Sequence, residues 1–286
     1  MNNYNDNNKT INIWENTAIK ANVTLTPFLA KNNKNGISVI ICPGGSYFWH
    51  AFKTEGTEVA KWLNKNGISA FVLKYRVPGV FSFLTYNRLI FPRKQHPDMI
   101  MDLQRSIQII RENYNDYKVN PNHIGVMGFS AGGHLVLSSA LFHKTNYLNN
   151  CGLKVKESLR PDFVAALYPV ITMQEEFVHK RSRRGLLGER NTNNKSLLRE
   201  LSLEKNIPND CCPIFLMNCK DDPIVKYQNS ELFDSALTAK SIEHKYIQYK
   251  TGGHGFGTTH SKTSDEAIMW CDEFLNWLNN LINSHD

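Results

Sequence analysis

The sequence has no apolar run approaching the roughly 18 residues a membrane-spanning helix needs. Its first ten residues (MNNYNDNNKT) also lack the basic-then-apolar order of a secretory signal. These absences argue against a membrane partner and read as a soluble, cytoplasmic protein. The six cysteines, Cys42, Cys151, Cys211, Cys212, Cys219 and Cys271, include no CxxC pair and no cysteine and histidine spacing suited to zinc. Reduced, mostly buried thiols are therefore expected, with no metal site and no disulfide framework. No internal repeat is present. Acidic residues are the scarcer charge: 26 Asp and Glu against 33 Lys and Arg leave a net charge of +7. Part of the excess lies in the run His179-Lys180-Arg181-Ser182-Arg183-Arg184. Such runs are commonly solvated faces or loops, so no nucleic-acid partner is inferred, although this one could attract an anionic substrate.

What is there is enough for a large core: 286 residues with 41% hydrophobic content. The organisation expected is an asparagine-rich disordered tail over residues 1–10 and a single domain over 11–286. Residues 37–42 (ISVIIC) read as a buried strand ending at Pro43-Gly44-Gly45. A helix over 57–66 closed by Gly67 and a second buried strand over 68–75 complete a βαβ unit. Apolar residues at three- and four-residue steps (Ile100, Leu103, Ile107, Ile110, Tyr114, Tyr117) predict one helix from Pro97 to about Tyr117. Further strands are expected at 123–129, 163–170, 213–219 and 244–249, with helices at 131–142, near 226–240 and near 265–283. This alternation predicts an α/β fold with a mostly parallel sheet flanked by helices. Residues 77–96 and 174–210 are too long for ordinary connections and are read as cap insertions over a site at the strand ends.

The chemistry concentrates in four places. Gly128-Phe129-Ser130-Ala131-Gly132 fits G-x-S-x-G between an apolar strand and a helix, the context in which Ser130 would be an exposed nucleophile on a sharp turn. Taken alone, the segment has the lesser alternative of a serine capping a helix. A serine hydroxyl needs a general base, and the base needs an acid to orient it. His254, in Gly252-Gly253-His254-Gly255-Phe256-Gly257, is the candidate base, with His260 a weaker rival. His134, one turn past Ser130, reads as a packing residue. The acid is Asp222 or its neighbour Asp221. Asp222 is favoured because Pro223 shapes the turn behind it and Val225 anchors that turn, leaving Asp221 as a solvated or turn-capping carboxylate. Pro43-Gly44-Gly45-Ser46-Tyr47 follows an early strand, where backbone N–H groups can join that of Ala131 in an oxyanion hole.

Together, CPGGSY (42–47), EGTEVAKWL (55–63), KYRV (74–77), GFSAGGH (128–134), LLG (186–188), DDPIV (221–225) and GGHGFG (252–257) resemble the carbohydrate-esterase branch of the α/β hydrolases, with acetylxylan esterase-like and feruloyl esterase-like members. The resemblance spans about residues 12–280. It implies an α/β-hydrolase fold and hydrolysis of carboxylic esters, often acetyl groups on saccharides, without metal or organic cofactor. It also implies Ser130 as nucleophile, Asp222 as acid, His254 as base, and Gly44, Gly45 and Ala131 as the oxyanion-hole region. The partner expected is a small-molecule or oligosaccharide ester, and a homodimer is left open. Two departures stand out: Ser46 replaces a third glycine, and the aromatic insertion at 77–96 is long. A general carboxylesterase or lipase, an arylformamidase, a peptidase of the prolyl-oligopeptidase type and a non-catalytic small-molecule-binding homologue are the competing readings. For the lipase reading, Phe81, Phe83, Tyr86 and Phe91 would form a greasy lid, against simple packing of the insertion on the body.

Overall fold

The computed structural model describes residues 9–85 and 94–285. Eight strands form one sheet: β1 (Ile11–Asn12), β2 (Thr24–Phe28), β3 (Ser38–Cys42), β4 (Ser69–Lys74), β5 (Ile124–Phe129), β6 (Val164–Leu167), β7 (Ile214–Cys219) and β8 (His244–Tyr249). Their order across the sheet is β1-β2-β4-β3-β5-β6-β7-β8. From β4 through β8 every pairing is parallel, while β1 and β2 are antiparallel additions at one edge.

The helices are α1 (Glu58–Lys65), α2 (Val80–Thr85), α3 (Asp98–Glu112), α4 (Tyr114–Tyr117), α5 (Ala131–Leu141), α6 (Lys180–Leu187), α7 (Lys195–Glu200), α8 (Gln228–Ala239), α9 (Asp265–Ile268) and α10 (Trp270–His285). Alternate side chains of each central strand feed two separate cores, as the two-residue strand period requires. Ile40, Val126, Ala166 and Leu216 face a core completed by α3, α5 and α8. Val39, Ile41, Met127, Leu167 and Met217 face another completed by α1 and α10. Covered on both faces, β3, β5, β6 and β7 are buried throughout and therefore almost wholly apolar, whereas the outer strand β8 is only half-buried. Every residue of α5 is buried, which accounts for its lack of a polar face.

Several expected boundaries shift. β1 and β2 were not anticipated; Pro27 breaks the strand pattern of TLTPF, and it is accommodated because β1 pairs only with Thr24 and Leu25. The helix expected from Pro97 to Tyr117 is two helices interrupted at Asn113, and Tyr114 is correspondingly exposed. The strand expected at 163–170 stops at Leu167, because Tyr168 turns to φ 38° ahead of Pro169. The C-terminal helix divides into α9 and α10.

The expected tail over 1–10 falls almost entirely outside the described residues. Of the four candidate lid aromatics, so do Tyr86 and Phe91. All six cysteines are free, five of them buried. No helix of the described residues is long and apolar enough to cross a membrane.

Candidate active site

Ser130 occupies the single residue between β5 and α5, with φ 53° and ψ −117°. A non-glycine residue there is strained, and the surroundings hold it: its N–H donates to the Leu167 carbonyl at 3.0 Å, and its own carbonyl accepts from Val170 N–H at 3.2 Å. The flanking glycines are demanded by close packing. A Cβ on Gly128 would land on the Gly132 carbonyl, and one on Gly132 would land on the Cys42 carbonyl at the end of β3.

Asp222 follows β7 and His254 follows β8, so the loops after three parallel strands bring the sequence candidates together at the carboxyl edge of the sheet. His254 Nε2 lies 2.9 Å from Ser130 Oγ, and His254 Nδ1 lies 2.6 Å from Asp222 Oδ2. The other carboxylate oxygen of Asp222 accepts the N–H groups of Ile224 at 2.8 Å and Val225 at 2.9 Å. The Asp222 side chain is 1% exposed and that of His254 is 11% exposed. Asp221 points elsewhere, accepting the N–H groups of Gly252 and Gly253 at 3.2 and 2.9 Å and so shaping the histidine loop. His260 is exposed and pairs with Asp265. His134 is buried between Tyr47 Oη at Nδ1 and the Leu201 carbonyl at Nε2, and burial lowers its pKa to about 4. Its Nε2–H therefore donates to Leu201 and its Nδ1 accepts from Tyr47.

The glycine loop after β3 lies beside Ser130, as expected, but its donors are divided. The Gly44 N–H is already donated to Glu55 Oε2 at 2.8 Å, so Gly44 offers no hydrogen to a substrate oxygen. This corrects its place in the oxyanion-hole set. The N–H groups of Gly45 and Ala131 have no acceptor among the described residues. Ser46 stands where a third glycine was expected and adopts φ 54°, a left-handed conformation that glycine would take without strain.

Both insertions pack on this loop. Gly185 of α6 sits against Ser46 and Tyr47. Phe83 of α2 packs edge-on against Phe48 and Trp49 at 5.3 and 5.5 Å, with the guanidinium groups of Arg181 and Arg184 stacked on the same aromatic cluster. Phe83 thus takes the packing role rather than that of an open lid, whereas Phe81 is 60% exposed. His179, immediately before α6, has its pKa lowered to about 4 by burial first, then by its proximity to His254 and Arg181. It therefore stands by the site uncharged at neutral pH.

Glu55, Tyr168 and His179 surround the site and were not singled out from the sequence. Glu55 opens an amphipathic segment, where an acidic residue ordinarily signals only a helix start, and its partners are distant in sequence. Among the described residues no group of three or more histidine, cysteine or carboxylate side chains converges to hold a metal ion.

Comparison with known proteins agrees with this architecture. The chain is 30% identical to an acetylxylan esterase of Xylanibacter ruminicola over 255 residues, covering 87% of this chain and 46% of that protein. It is 32% identical to endo-1,4-beta-xylanase B of Butyrivibrio fibrisolvens over 217 residues, covering 76% and 32%. The chain thus spans a third to a half of the length of these curated relatives. Among solved structures, an acetyl ester-xyloside bifunctional hydrolase from Caldicellulosiruptor lactoaceticus superposes with a TM-score of 0.82 at 31% identity, covering 96% of both chains. The BD-FAE family profile matches residues 26–237, from β2 through most of α8 and including Ser130 and Asp222. The chain belongs to the BD-FAE family, within the carbohydrate-esterase branch of the α/β hydrolases.

Proposed function

We propose that this carboxylic ester hydrolase uses Ser130, His254 and Asp222 as a catalytic triad and acts on short-chain esters, principally acetyl groups carried by saccharides. The observation that carries the mechanism is the continuous chain Asp222–His254–Ser130, with contacts of 2.6 and 2.9 Å. Ser130 Oγ attacks the ester carbonyl carbon while His254 Nε2 takes its proton. Asp222, bonded at Nδ1, sets the tautomer and stabilises the imidazolium. The carbonyl oxygen becomes an oxyanion received by the N–H groups of Gly45 and Ala131, which begin free to donate. His254 then protonates the leaving alcohol. Water, deprotonated by the same histidine, attacks the acyl group and regenerates Ser130.

The saccharide assignment is supported by the xylan-directed names of relatives near 30% identity. The short-acyl assignment is supported by the acetyl-directed names of two of these relatives and by the packing of Phe83 on Phe48 and Trp49, which withdraws it from the greasy lid a lipase would need.

Acetate release is the test, measured across acetylated xylo-oligosaccharides, acetylated pectin fragments and aryl esters from acetate to octanoate. The wild type is expected to deacetylate xylo-oligosaccharides and to lose rate as the acyl chain lengthens. Ser130→Ala is expected to lower kcat by at least about 10⁴-fold and to abolish labelling by a fluorophosphonate. Full activity in Ser130→Ala would overturn the triad. Hydrolysis confined to aryl esters would replace the saccharide esterase with a general carboxylesterase.

A further inference from the structure

Glu55 is not a member of the triad, yet it is built into its support. It lies in the irregular helical turn Lys53–Thr57 that leads into α1, and the residue is only 2% exposed. Among the described residues it forms no ion pair. Both of its carboxylate oxygens are nevertheless occupied. Oε2 accepts the Gly44 N–H at 2.8 Å, and Oε1 accepts the Tyr168 hydroxyl at 3.0 Å. Tyr168 Oη in turn accepts the Gly257 N–H at 3.0 Å. The Tyr168 ring lies against the imidazole of His254, with centroids 4.7 Å apart. One carboxylate is thereby tied at one oxygen to the loop after β3, and at the other, through Tyr168, to the loop after β8.

The donor count calls for a carboxylate. Two donors, an N–H and an O–H, converge on the two oxygens, and a glutamine would meet one of them with its own NH₂ group. A buried carboxylate without a counter-ion is costly unless its hydrogen bonds are complete and a positive charge is within reach. Burial raises the Glu55 carboxyl pKa. The strongest influence drawing it back is His254 in its protonated form, followed by the Gly44 N–H, the Tyr168 hydroxyl and Lys262.

We propose that Glu55 is a positioning residue for ester hydrolysis, clamping the oxyanion loop to the histidine loop and supplying a second negative charge near the imidazole of His254. The proposal rests on the Ser130–His254–Asp222 reading above. As the Oγ–carbon bond forms and the carbonyl electron pair moves onto oxygen, the proton of Ser130 passes to His254 Nε2. Positive charge then develops on the imidazole while the oxyanion develops at Gly45 and Ala131. Glu55 favours the first by charge. It assists the second by engaging Gly44, so that the next N–H in the loop is the one left for substrate.

Among the described residues the charged and titratable groups around His254 include Asp222 at Nδ1, Asp221 on the N–H groups of Gly252 and Gly253, Glu55, the Tyr168 hydroxyl and His179, with Lys262 acting on Glu55 from the segment after the histidine loop. Asp222 bonds the imidazole directly, Asp221 holds the backbone of the histidine loop, and Glu55 reaches that loop through Tyr168, so neutralising Glu55 alone has a readable electrostatic signature.

The experiment compares Glu55→Gln and Tyr168→Phe with the wild type, recording kcat and KM for 4-nitrophenyl acetate against pH, with thermal melts as a folding control. Glu55→Gln is expected to lower kcat about 10- to 100-fold with little change in KM. It should also move the acid limb of kcat/KM to lower pH by about half a unit, because losing a negative charge makes the imidazolium less stable. Tyr168→Phe keeps the charge and removes the hydroxyl, so kcat falls while the acid limb stays in place. A folded Glu55→Gln protein with wild-type kcat and an unmoved limb overturns the proposal, as does a Tyr168→Phe limb displaced as far as that of Glu55→Gln.

If Glu55→Gln fails to fold, Glu55→Asp is decisive: retained charge with shortened reach predicts reduced kcat and an unmoved limb, and wild-type kcat there overturns the clamp. Retained hydrolysis in Ser130→Ala would remove the triad and this proposal together. Lost hydrolysis there, beside an unaffected Glu55→Gln, would remove this proposal alone.

Discussion

The adjacent carboxylates Asp221 and Asp222 meet different groups of the loop after β8. Asp222 is withdrawn from solvent and oriented by two backbone N–H groups before it meets His254. Asp221 is exposed and holds the backbone of Gly252 and Gly253. Replacing Asp222 by Asn leaves the shape but removes the charge and disturbs the tautomer of His254, with an expected kcat loss on the order of 10³–10⁴. Asp221→Ala removes two exposed hydrogen bonds worth about 1 kcal/mol each, so its loss is expected to stay below about thirtyfold. Steady-state kinetics of the two variants on one aryl acetate check this, and equal losses would contradict the division of roles. The contact of Asp222 with His254 was legible because Pro223 and Val225 mark the turn that orients this carboxylate. Glu55 was not readable, since its partners Gly44 and Tyr168 are 11 and 113 residues away and the local segment looks like any helix start. The commitment of the Gly44 N–H was hidden for the same reason: a glycine pair announces an accessible backbone but not which of its hydrogens is already taken.

At the scale of elements, the parallel strands could be read because burial on both faces makes each a short apolar run bounded by turns. The antiparallel pair β1 and β2 could not, because edge strands are short and tolerate a proline, and their attachment depends on a contact across the chain. That contact is Asp102 of α3. Its buried carboxylate accepts the Trp14 indole N–H at 2.7 Å and the Arg76 backbone N–H at 2.7 Å, and it pairs with the Arg76 guanidinium at 2.8 Å. It thus binds the segment between β1 and β2 and the chain after β4 to a single helix position. Burial raises its pKa to about 6, with Arg76 the main opposing influence. Asp102→Ala would strand the Trp14 indole N–H and the Arg76 backbone N–H away from water and leave the Arg76 guanidinium with Asp98 as its remaining carboxylate. The expected cost is about 3–5 kcal/mol, seen as a Tm lower by roughly ten degrees. A melt within two or so degrees of wild type would show that the edge is held by apolar packing instead.

For the whole molecule, a net charge of +7 biases encounters toward anions, and the fold brings part of that charge to the site. The run at 179–184 was read as a solvated face with that capacity. It forms α6, whose cations fare differently. Arg183 pairs with Glu175 at 2.6 Å and Arg184 with Glu189 at 3.5 Å, so much of their charge is answered locally. Arg181 is exposed, stacks on Trp49 and Phe83 at 5.8 and 5.5 Å, and has no carboxylate partner among the described residues. Trp49 belongs to the loop that carries Gly45, so this cation lies beside the glycine loop next to Ser130 rather than at the far side of the molecule. An acetate ester whose alcohol carries a carboxylate should therefore be hydrolysed with a higher kcat/KM than its neutral counterpart at low salt. The advantage should shrink between roughly 20 and 500 mM salt as the Debye length contracts. Arg181→Gln should remove about 1.5- to fivefold of it, the scale of an exposed ion pair, while leaving neutral esters unchanged. Parallel assays of paired neutral and acidic esters across that salt range test the point. An advantage that survives high salt and the substitution alike would place the selectivity in the pocket wall and not in the charge of α6.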